Sequence, residues 1–434
     1  MDVRDTDAVV VVGIDSASAV TCVRSLGRRG IHTIVASEQE SAPVFRSRYC
    51  DEAVLVPSPA DSLPDYAAAL LELARRPETR AIIPLREEDV YVLAKHRSDF
   101  EEHVTALWPP LETVRTVHDR VRLVEIAAAA GVRVPETNLL DDVVDWGRKQ
   151  LVKGRYSVLT DGYVDSLPPG TSVAVGSAQY LDPGIEPDRE EVYRRFGHEP
   201  VVQEYIPGAE HSLWALYDRG KPVATCQMHQ HRAWQYPGGT SICRETVRIP
   251  ALEEAGRAVL DALDWHGFAS VQFMRHEETG EFTLMEVNPR VWASVPCAVR
   301  AGADFPYYYW RLAVDGVHVD DGYDVGVATH RLRGELVHLY SVLREEYAYV
   351  EKPRFDAVFR DVISSLYRQP HFDYLTLDDP RPFVQDVRHG VGSMLPASAV
   401  ERATDLRDTI RGRASRTDDT ESVPVHRNVG RSRK

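Results

Sequence analysis

Phe282-Thr283-Leu284-Met285-Glu286-Val287-Asn288-Pro289-Arg290 has the pattern of a strand that ends in a cluster of polar groups. Side chains alternate across a strand with a period of two. Glu286 and Asn288 therefore share one face, while Met285 and Val287 are expected to pack on the other. Pro289 has no N–H for a ladder, which ends the strand and leaves Arg290 at its mouth. A carboxylate, an amide oxygen and a guanidinium then meet at one strand end. Hard oxygen ligands suit Mg²⁺ and a guanidinium suits phosphate, so the pattern points to a nucleoside-triphosphate site.

Phe268-Ala269-Ser270-Val271-Gln272-Phe273-Met274 alternates in the same way, and Glu277-Glu278-Thr279-Gly280 supplies a turn. A hairpin centred near Thr279 sets Gln272 opposite Glu286 and Ser270 opposite Asn288, with paired Cβ atoms roughly 5 Å apart. Gln272 becomes a third oxygen aimed at the same metals. An edge hairpin with polar residues facing water accounts for Glu286 alone equally well, but poorly for Gln272, Glu286, Asn288 and Arg290 together.

These residues resemble the metal-binding hairpin of ATP-grasp enzymes, above all their carbamoyl phosphate synthetase-like branch. There a glutamine stands where D-alanine–D-alanine ligases carry an acidic residue. The resemblance implies that Gln272, Glu286 and Asn288 hold two Mg²⁺ ions, with Mn²⁺ as an alternative, between the phosphates of ATP. It implies that Arg290 steadies the transferring phosphoryl group and the acyl phosphate. The likeness runs on through Val291-Trp292-Ala293-Ser294 and Ala301-Gly302-Ala303-Asp304-Phe305-Pro306, as in carboxylate–amine ligases of archaea and bacteria. It covers the chain from Val9 to Val314.

Further stretches fit the same family. Val201-Val202-Gln203-Glu204-Tyr205-Ile206 alternates before Pro207-Gly208 breaks the strand. It resembles the hinge between the two ATP-grasp subdomains, which makes Glu204 and Ile206 adenine contacts and Glu210 the ribose contact. Gln150-Leu151-Val152-Lys153 ends a strand in one of only six lysines, like the family lysine that neutralises α- and β-phosphate charge; Lys153 and Arg290 are the expected catalytic residues. The helix expected over Asp119 to Ala130 places Leu123, Ile126, Ala127 and Ala130 on one face. It resembles the entry helix, whose opening Arg120 contacts phosphates; a solvated arginine in a first helical turn is the open alternative. Arg232 and a flexible loop at Gly238-Gly239-Thr240-Ser241 fall where the family has a comparable arginine near phosphates or substrate. One departure follows Lys153. Gly154-Arg155-Tyr156-Ser157 leads to Asp161-Gly162 and Pro168-Pro169-Gly170, where the family has a glycine-rich loop, so only a mobile lid is implied. A zinc site from Cys226, His229, His231 and Cys243 is disfavoured, because the strand period points Cys226 away from both histidines.

At 434 residues the chain suggests two or three domains. A strand at Ala8 to Gly13, a helix at Ala17 to Arg29 and a strand at Ile31 to Ala36 open a βαβ unit, with short buried strands at Val54 to Pro57 and Ala81 to Pro84. The expected class is an α/β N-terminal domain with a parallel sheet (1–115), an α+β ATP-grasp fold of two subdomains (116–205 and 206–325), a helical C-terminal extension (326–410) and a disordered tail (411–434). Asp15 and Ser18 stand where a dinucleotide-binding turn wants glycines, so Ser16, Ser18, Glu87 and Glu88 read better as contacts for an acid substrate.

A net charge of −15 argues against nucleic-acid binding. The run from Ala8 to Val12 is too short for a membrane span or signal segment, and five scattered cysteines fit a reducing compartment; a cytoplasmic protein is expected. Composition does not fix an oligomeric state. The function this reading expects is ATP-dependent ligation of a small-molecule carboxylate to an amine through an acyl phosphate, releasing ADP and phosphate. The alternative is a catalytically silent ATP-binding sensor on the same scaffold. An NAD-dependent oxidoreductase would leave Glu286 to Arg290 without a role.

Overall fold

The structure, a computed structural model, describes residues 7–316 and 322–394. The chain opens with β1 (Ala8–Val12), α1 (Ala17–Gly27), β2 (His32–Ser37), β3 (Glu52–Leu55), α2 (Leu63–Ala74) and β4 (Thr79–Ile83). The strands form a parallel sheet in the order β3-β2-β1-β4. β1 is buried on both faces, as the wholly apolar run Ala8–Val12 between helices requires. β3 is an edge strand whose residues are only half-buried or exposed, which corrects the expectation of a buried strand at Val54 to Pro57. α3 (Glu87–Lys95), α4 (Arg97–Glu101) and α5 (Leu111–His118) complete this part.

α6 (Arg120–Ala129) follows at once, its first turn capped by the Asp119 carboxylate, which accepts the Val121 N–H at 3.0 Å. Next come β5 (Thr137–Leu139), β6 (Gln150–Lys153), β7 (Leu159–Thr160), β8 (Ser172–Val173), β9 (Gln179–Leu181), α7 (Arg189–Phe196) and β10 (Val201–Glu204). An antiparallel sheet in the order β5-β10-β6-β9 carries Lys153 at one strand end, and β7 pairs with β8 as a separate ribbon.

A third sheet, all antiparallel, runs β15-β14-β11-β12-β13-β16. Its strands are β11 (Gly208–Asp218), β12 (Lys221–Gln235), β13 (Gly238–Val247), β14 (Gly267–His276), β15 (Phe282–Asn288) and β16 (Ala328–His330). The crossover from β10 enters at Gly208, where φ is +146° and a Cβ would collide with the Arg275 carbonyl. The stretch 238–241, expected as a loop, is the start of β13. β16 belongs to this sheet although it lies past residue 326, where the helical extension was expected to begin.

α8 (Pro250–Ala262) covers one face of the sheet, setting Leu252, Val259 and Leu260 against Leu213, Val271 and Phe273. α9 (Val295–Arg300) and α10 (Phe305–Asp315) share a second core with α1. α1 is thus clasped between the first sheet and these helices, which explains why every residue from Ala17 to Leu26 is buried. Tyr308, Tyr309 and Trp310 are part of that core.

α11 (Leu332–Arg344), α12 (Phe355–Arg368) and α13 (Arg381–Met394) follow. The chain through Asp386 is one compact unit; Val387–Lys434 is a second, in which only the end of α13 is described. The tail expected to be disordered lies outside the described residues. Among the described residues no helix is long and apolar enough to cross a membrane.

Three buried arginine–carboxylate pairs fasten the segment after β16 to the rest: Arg24–Asp379 at 2.9 Å, Arg244–Asp373 at 2.6 Å and Arg232–Glu335 at 2.8 Å. Asp379 also accepts the Ser47 hydroxyl and the Arg48 N–H, so removing it strands three donors. Its neighbour Asp378 pairs with Arg28 at the surface. Asp379→Ala is expected to cost about 3–5 kcal/mol, because it leaves a buried guanidinium without a counter-charge. Asp378→Ala is expected to cost less than about 1 kcal/mol. Thermal unfolding of the two variants side by side checks the contrast.

Candidate functional site

The face of the third sheet opposite α8 is the floor of a cleft. Register places Asn288, Ser270 and Trp214 in one row across β15, β14 and β11, and Glu286, Gln272 and Ser212 in the next. Met274 and Glu210 form a third row. The hairpin therefore has the pairing read from its sequence, Gln272 opposite Glu286 and Ser270 opposite Asn288. Met285 departs from expectation. Phe273 pairs with Leu284, so Met285 is the extra residue of a β-bulge and lines the cleft beside Glu286 instead of packing with Val287.

The cleft has two lobes of about 410 and 370 Å³ that share Lys153, Glu210, Gly239, Met274 and Met285. The outer lobe lies at the hinge, with Leu151, Ile206, Tyr180 and Tyr205 on one side and the polar groups of Gln230, His231 and Arg232 on another. Ile206 lines it, as expected of an adenine contact. Glu204 does not line it; its carboxylate accepts the Glu136 N–H at 3.3 Å. The inner lobe is bounded by Ser212, Trp214, Met228, Ser241, Ser270, Trp292 and Ser294.

Charge gathers where the lobes meet. Arg120 donates to the Gly154 carbonyl at 2.7 Å, and its other nitrogen is 3.9 Å from the Glu286 carboxylate. The end of β6 is locked to the start of α6 by the two-pronged Arg155–Asp119 pair at 2.8–3.1 Å. Desolvation, then the neighbouring Arg120, lower the Lys153 ammonium to about 8. Desolvation, then the Glu286 charge, raise the Glu210 carboxyl to about 7. Both shifts report charged groups held close together with little water, the usual condition of a site built for a polyanion. Glu286 is lightly tied, accepting the Asn288 amide at 3.0 Å. One carboxylate with two amide oxygens, and neither thiol nor imidazole, is a donor set for a hard cation, so Gln272, Glu286 and Asn288 could hold Mg²⁺.

Arg290 is held from the N-terminal part of the chain. Its Nε donates to Glu87 at 2.7 Å, and Nη2 donates to Asn288 at 3.2 Å. Glu87 also meets the His118 ring at 3.1 Å, and the ring's other nitrogen meets the Tyr163 hydroxyl at 2.9 Å. Burial pushes Glu87 up, but Arg290 and His118 outweigh it and keep the carboxyl below its usual range. Glu87, expected to touch substrate, instead braces Arg290. Ser16 accepts the Ser18 N–H and hydroxyl, so these two serines cap α1.

The segment after β6, expected as a mobile lid, is docked on the N-terminal part of the chain. Tyr163 packs against Tyr91 and His118, Lys95 lies 4.0 Å from Asp161, and the Gly170 carbonyl accepts the Leu63 N–H at 2.8 Å. Aromatic and backbone contacts dock this ribbon on α2 and α3. Arg232 also has a structural task. Its guanidinium donates to both oxygens of Glu335, to Asp361 at 2.5 Å and to Ser365 at 2.7 Å, so it fastens α11 and α12 to β12 while the residue still borders the outer lobe. Cys243, His330 and Glu335 lie close together, but Arg232 and His330 occupy the Glu335 oxygens, making this an ion-pair cluster. Cys226 is buried in the core with Cys297, apart from His229, in line with the strand period.

Sequence reasoning missed several residues in and behind the cleft. Ser212 and Trp214 follow Glu210 at steps of two, and the strand period would have found them. His118 and Tyr163, which back Glu87, and Trp292, which stacks on Trp214 with centroids 5.2 Å apart, had no such signal. Nor did the loop after α11, where Tyr349 stacks on Tyr180 at 3.7 Å and takes a hydrogen bond from Lys149 on its carbonyl. This loop straps the edge of the small sheet beside the outer lobe.

With the fold and cleft defined, comparison with known proteins places the chain. Residues 198–331 match the family described as "ATP-grasp in the biosynthetic pathway with Ter operon", and residues 10–107 match the "PylC-like, N-terminal domain". Residues 198–331 are thus an ATP-grasp segment, preceded by a domain of the PylC-like N-terminal type. It is 31% identical over 135 residues to the N-terminal section of carbamoyl phosphate synthase large chain from Methanopyrus kandleri, covering 27% of this chain and 24% of that one. It is 24% identical over 327 residues to methylcrotonoyl-CoA carboxylase subunit alpha of Oryza sativa, covering 70% and 43%. The chain thus spans less than half the length of these curated relatives. An L-amino acid ligase from Bacillus licheniformis has the same fold, with TM-score 0.53 at 13% identity over 72% of this chain and 75% of that one.

The lowered Lys153 ammonium gives a signed expectation. The charged form binds phosphate, so MgATP affinity is expected to weaken about tenfold between pH 7 and pH 9 as the ammonium of the free protein deprotonates. Calorimetric titration across that range checks it. Lys153→Met should be weaker throughout and lose the slope.

Proposed function

We propose that this chain is an ATP-dependent ligase that joins a small-molecule carboxylate to an amine, with ADP and phosphate as by-products. The observation that carries this reading is the meeting of Lys153, Arg120, Glu286 and Arg290 where the hinge lobe, walled by Leu151 and Ile206, joins the inner lobe. The slot between Leu151, Ile206, Met274 and Met285 takes the base, with Glu210 at the ribose. Lys153 and Arg120 face the phosphates, and the inner lobe takes the acid.

A carboxylate is a poor acyl donor because its leaving group would be oxide. Attack of a carboxylate oxygen on the γ-phosphorus forms an O–P bond and breaks the bond to the bridging oxygen of ADP. The amine nitrogen then attacks the acyl carbon, the C–O bond to phosphate breaks, and the nitrogen gives up a proton. Little covalent chemistry is asked of the protein; positioning and charge neutralisation dominate. Gln272, Glu286 and Asn288 would hold two Mg²⁺, which supply charge neutralisation between the phosphates. Arg290, kept rigid by Glu87 and Asn288, lies where charge builds on the transferring group. Relatives named as a carbamoyl phosphate synthase and an L-amino acid ligase support ATP-driven chemistry at a carboxylate or its equivalent.

A second reading keeps ATP binding without turnover. It is favoured by the ribbon between β6 and β9, which docks on α2 and α3 where a mobile glycine-rich loop would close over the phosphates. ATP consumption with Mg²⁺ across mixed carboxylic and amino acids, with hydroxylamine as acceptor, separates the two. Acid-dependent ADP with a hydroxamate is expected. AMP, or tight ATP binding without product from any acid, removes the ligase reading. Glu286→Ala should lower turnover by at least about 10²–10³-fold while nucleotide still binds weakly; near-native turnover in that variant would sink the site assignment.

A further inference from the structure

α11 and α12 each bury one side and expose an apolar stripe on another. The inner side of α11 carries Glu335, His338, Ser341 and Val342, with Glu335 tied to Arg232 and the His338 ring to the Ala233 carbonyl. α12 is fixed through Asp361, Val362 and Ser365. The remaining large apolar residues point outward. On α11 these are Leu336, 65% exposed, Tyr340 and Leu343, at spacings of four and three. On α12 they are Phe355, Phe359, Ile363 and Tyr367, four apart, the last 88% exposed.

Helix propensity does not require any of these residues to be apolar. On a solvated helix face they would be exchanged for charges at no cost to the fold. Full side chains of this kind present roughly 150–250 Å² each, so the exposed parts of the seven total about 800 Å². The largest apolar patch on a monomer is about 300–600 Å², and a stable pairwise interface buries about 800 Å² per partner.

We infer that this two-helix face is the interface through which the chain pairs with a second copy of itself. The charges nearby argue for a self-complementary contact over a charged partner. Asp356 is paired with both Arg354 and Arg360, and Asp361 is taken by Arg232, so neither helix keeps a free carboxylate beside the stripe for a basic partner. A net charge of −15 on the chain also disfavours an acidic partner or an anionic bilayer. A two-fold axis meets these conditions with one surface, since each stripe packs on its own counterpart. The loop between the two helices is the strap that stacks Tyr349 on Tyr180, so pairing would also steady the edge of the nucleotide slot.

The test is the mass of the full chain by light scattering after size exclusion, from about 1 to 50 μM. Twice the chain's 48.8 kDa is expected, falling to 48.8 kDa in Phe359→Glu/Tyr367→Glu with unchanged circular dichroism. Leu377→Glu, at an exposed leucine away from the face, should leave the dimer intact. Hydrogen exchange on the unmodified protein gives a second readout, with α12 better protected at the high concentration than at the low one. A monomer throughout overturns the inference, whether the face is taken by the chain's own residues 395–434, by lipid or by another protein. A dimer that survives both glutamates, or α12 exchange that ignores concentration, overturns it too.

Discussion

The register between β14 and β15 is the constraint on which the rest of the cleft depends. Because side chains alternate, a slip of one residue would send Glu286 and Asn288 into the core behind the sheet and bring Val287 into the cleft. The register holds because Val271, Phe273, Leu284 and Val287 are committed to the core under α8. The bulge at Met285 absorbs one residue without disturbing either side of that commitment. It leaves a thioether next to the Glu286 carboxylate, so the hinge slot gains an adaptable apolar wall at the point where the metal-type oxygens begin.

From that hairpin the site is assembled by contacts long in sequence. Arg290 leaves the strand at Pro289 and is caught by Glu87, which His118 and Tyr163 back in turn. Val291 N–H then bonds the Pro84 carbonyl at the end of β4. The first sheet therefore does more than precede the nucleotide fold; it fixes the direction of a guanidinium on the third sheet. On the other side Arg155 and Asp119 lock β6 to α6, bringing Lys153 and Arg120 toward Glu286. Like charges held this close are tolerated only because opposite charges stand between them. Burial first, and the neighbouring like charge second, depress Lys153 and raise Glu210.

The segment after β16 is fastened by buried ion pairs, not by a large apolar core. Arg24, Arg232 and Arg244 come from α1, β12 and β13, and their partners Asp379, Glu335 and Asp373 all lie after residue 330. A planar guanidinium satisfied on several sides fixes direction as well as distance. That device leaves the apolar residues of α11 and α12 free to face outward.

The local chemistry is legible in the residues alone: a βαβ opening, a strand ending in Lys153, Arg290 just past the end of another, a hinge at Pro207-Gly208, and Gln272, Glu286 and Asn288 on one face. These follow from periodicity, from proline and from glycine, which act over a few residues. Only the tertiary structure decided which charges were already spoken for. Arg232 resembles a phosphate ligand in sequence and is engaged by Glu335 and Asp361, more than 100 residues away; Glu87 resembles a substrate contact and braces Arg290, 203 residues on. Strand period cannot show this, because a charge chooses its partner by distance in space, and that distance is set by how three sheets pack.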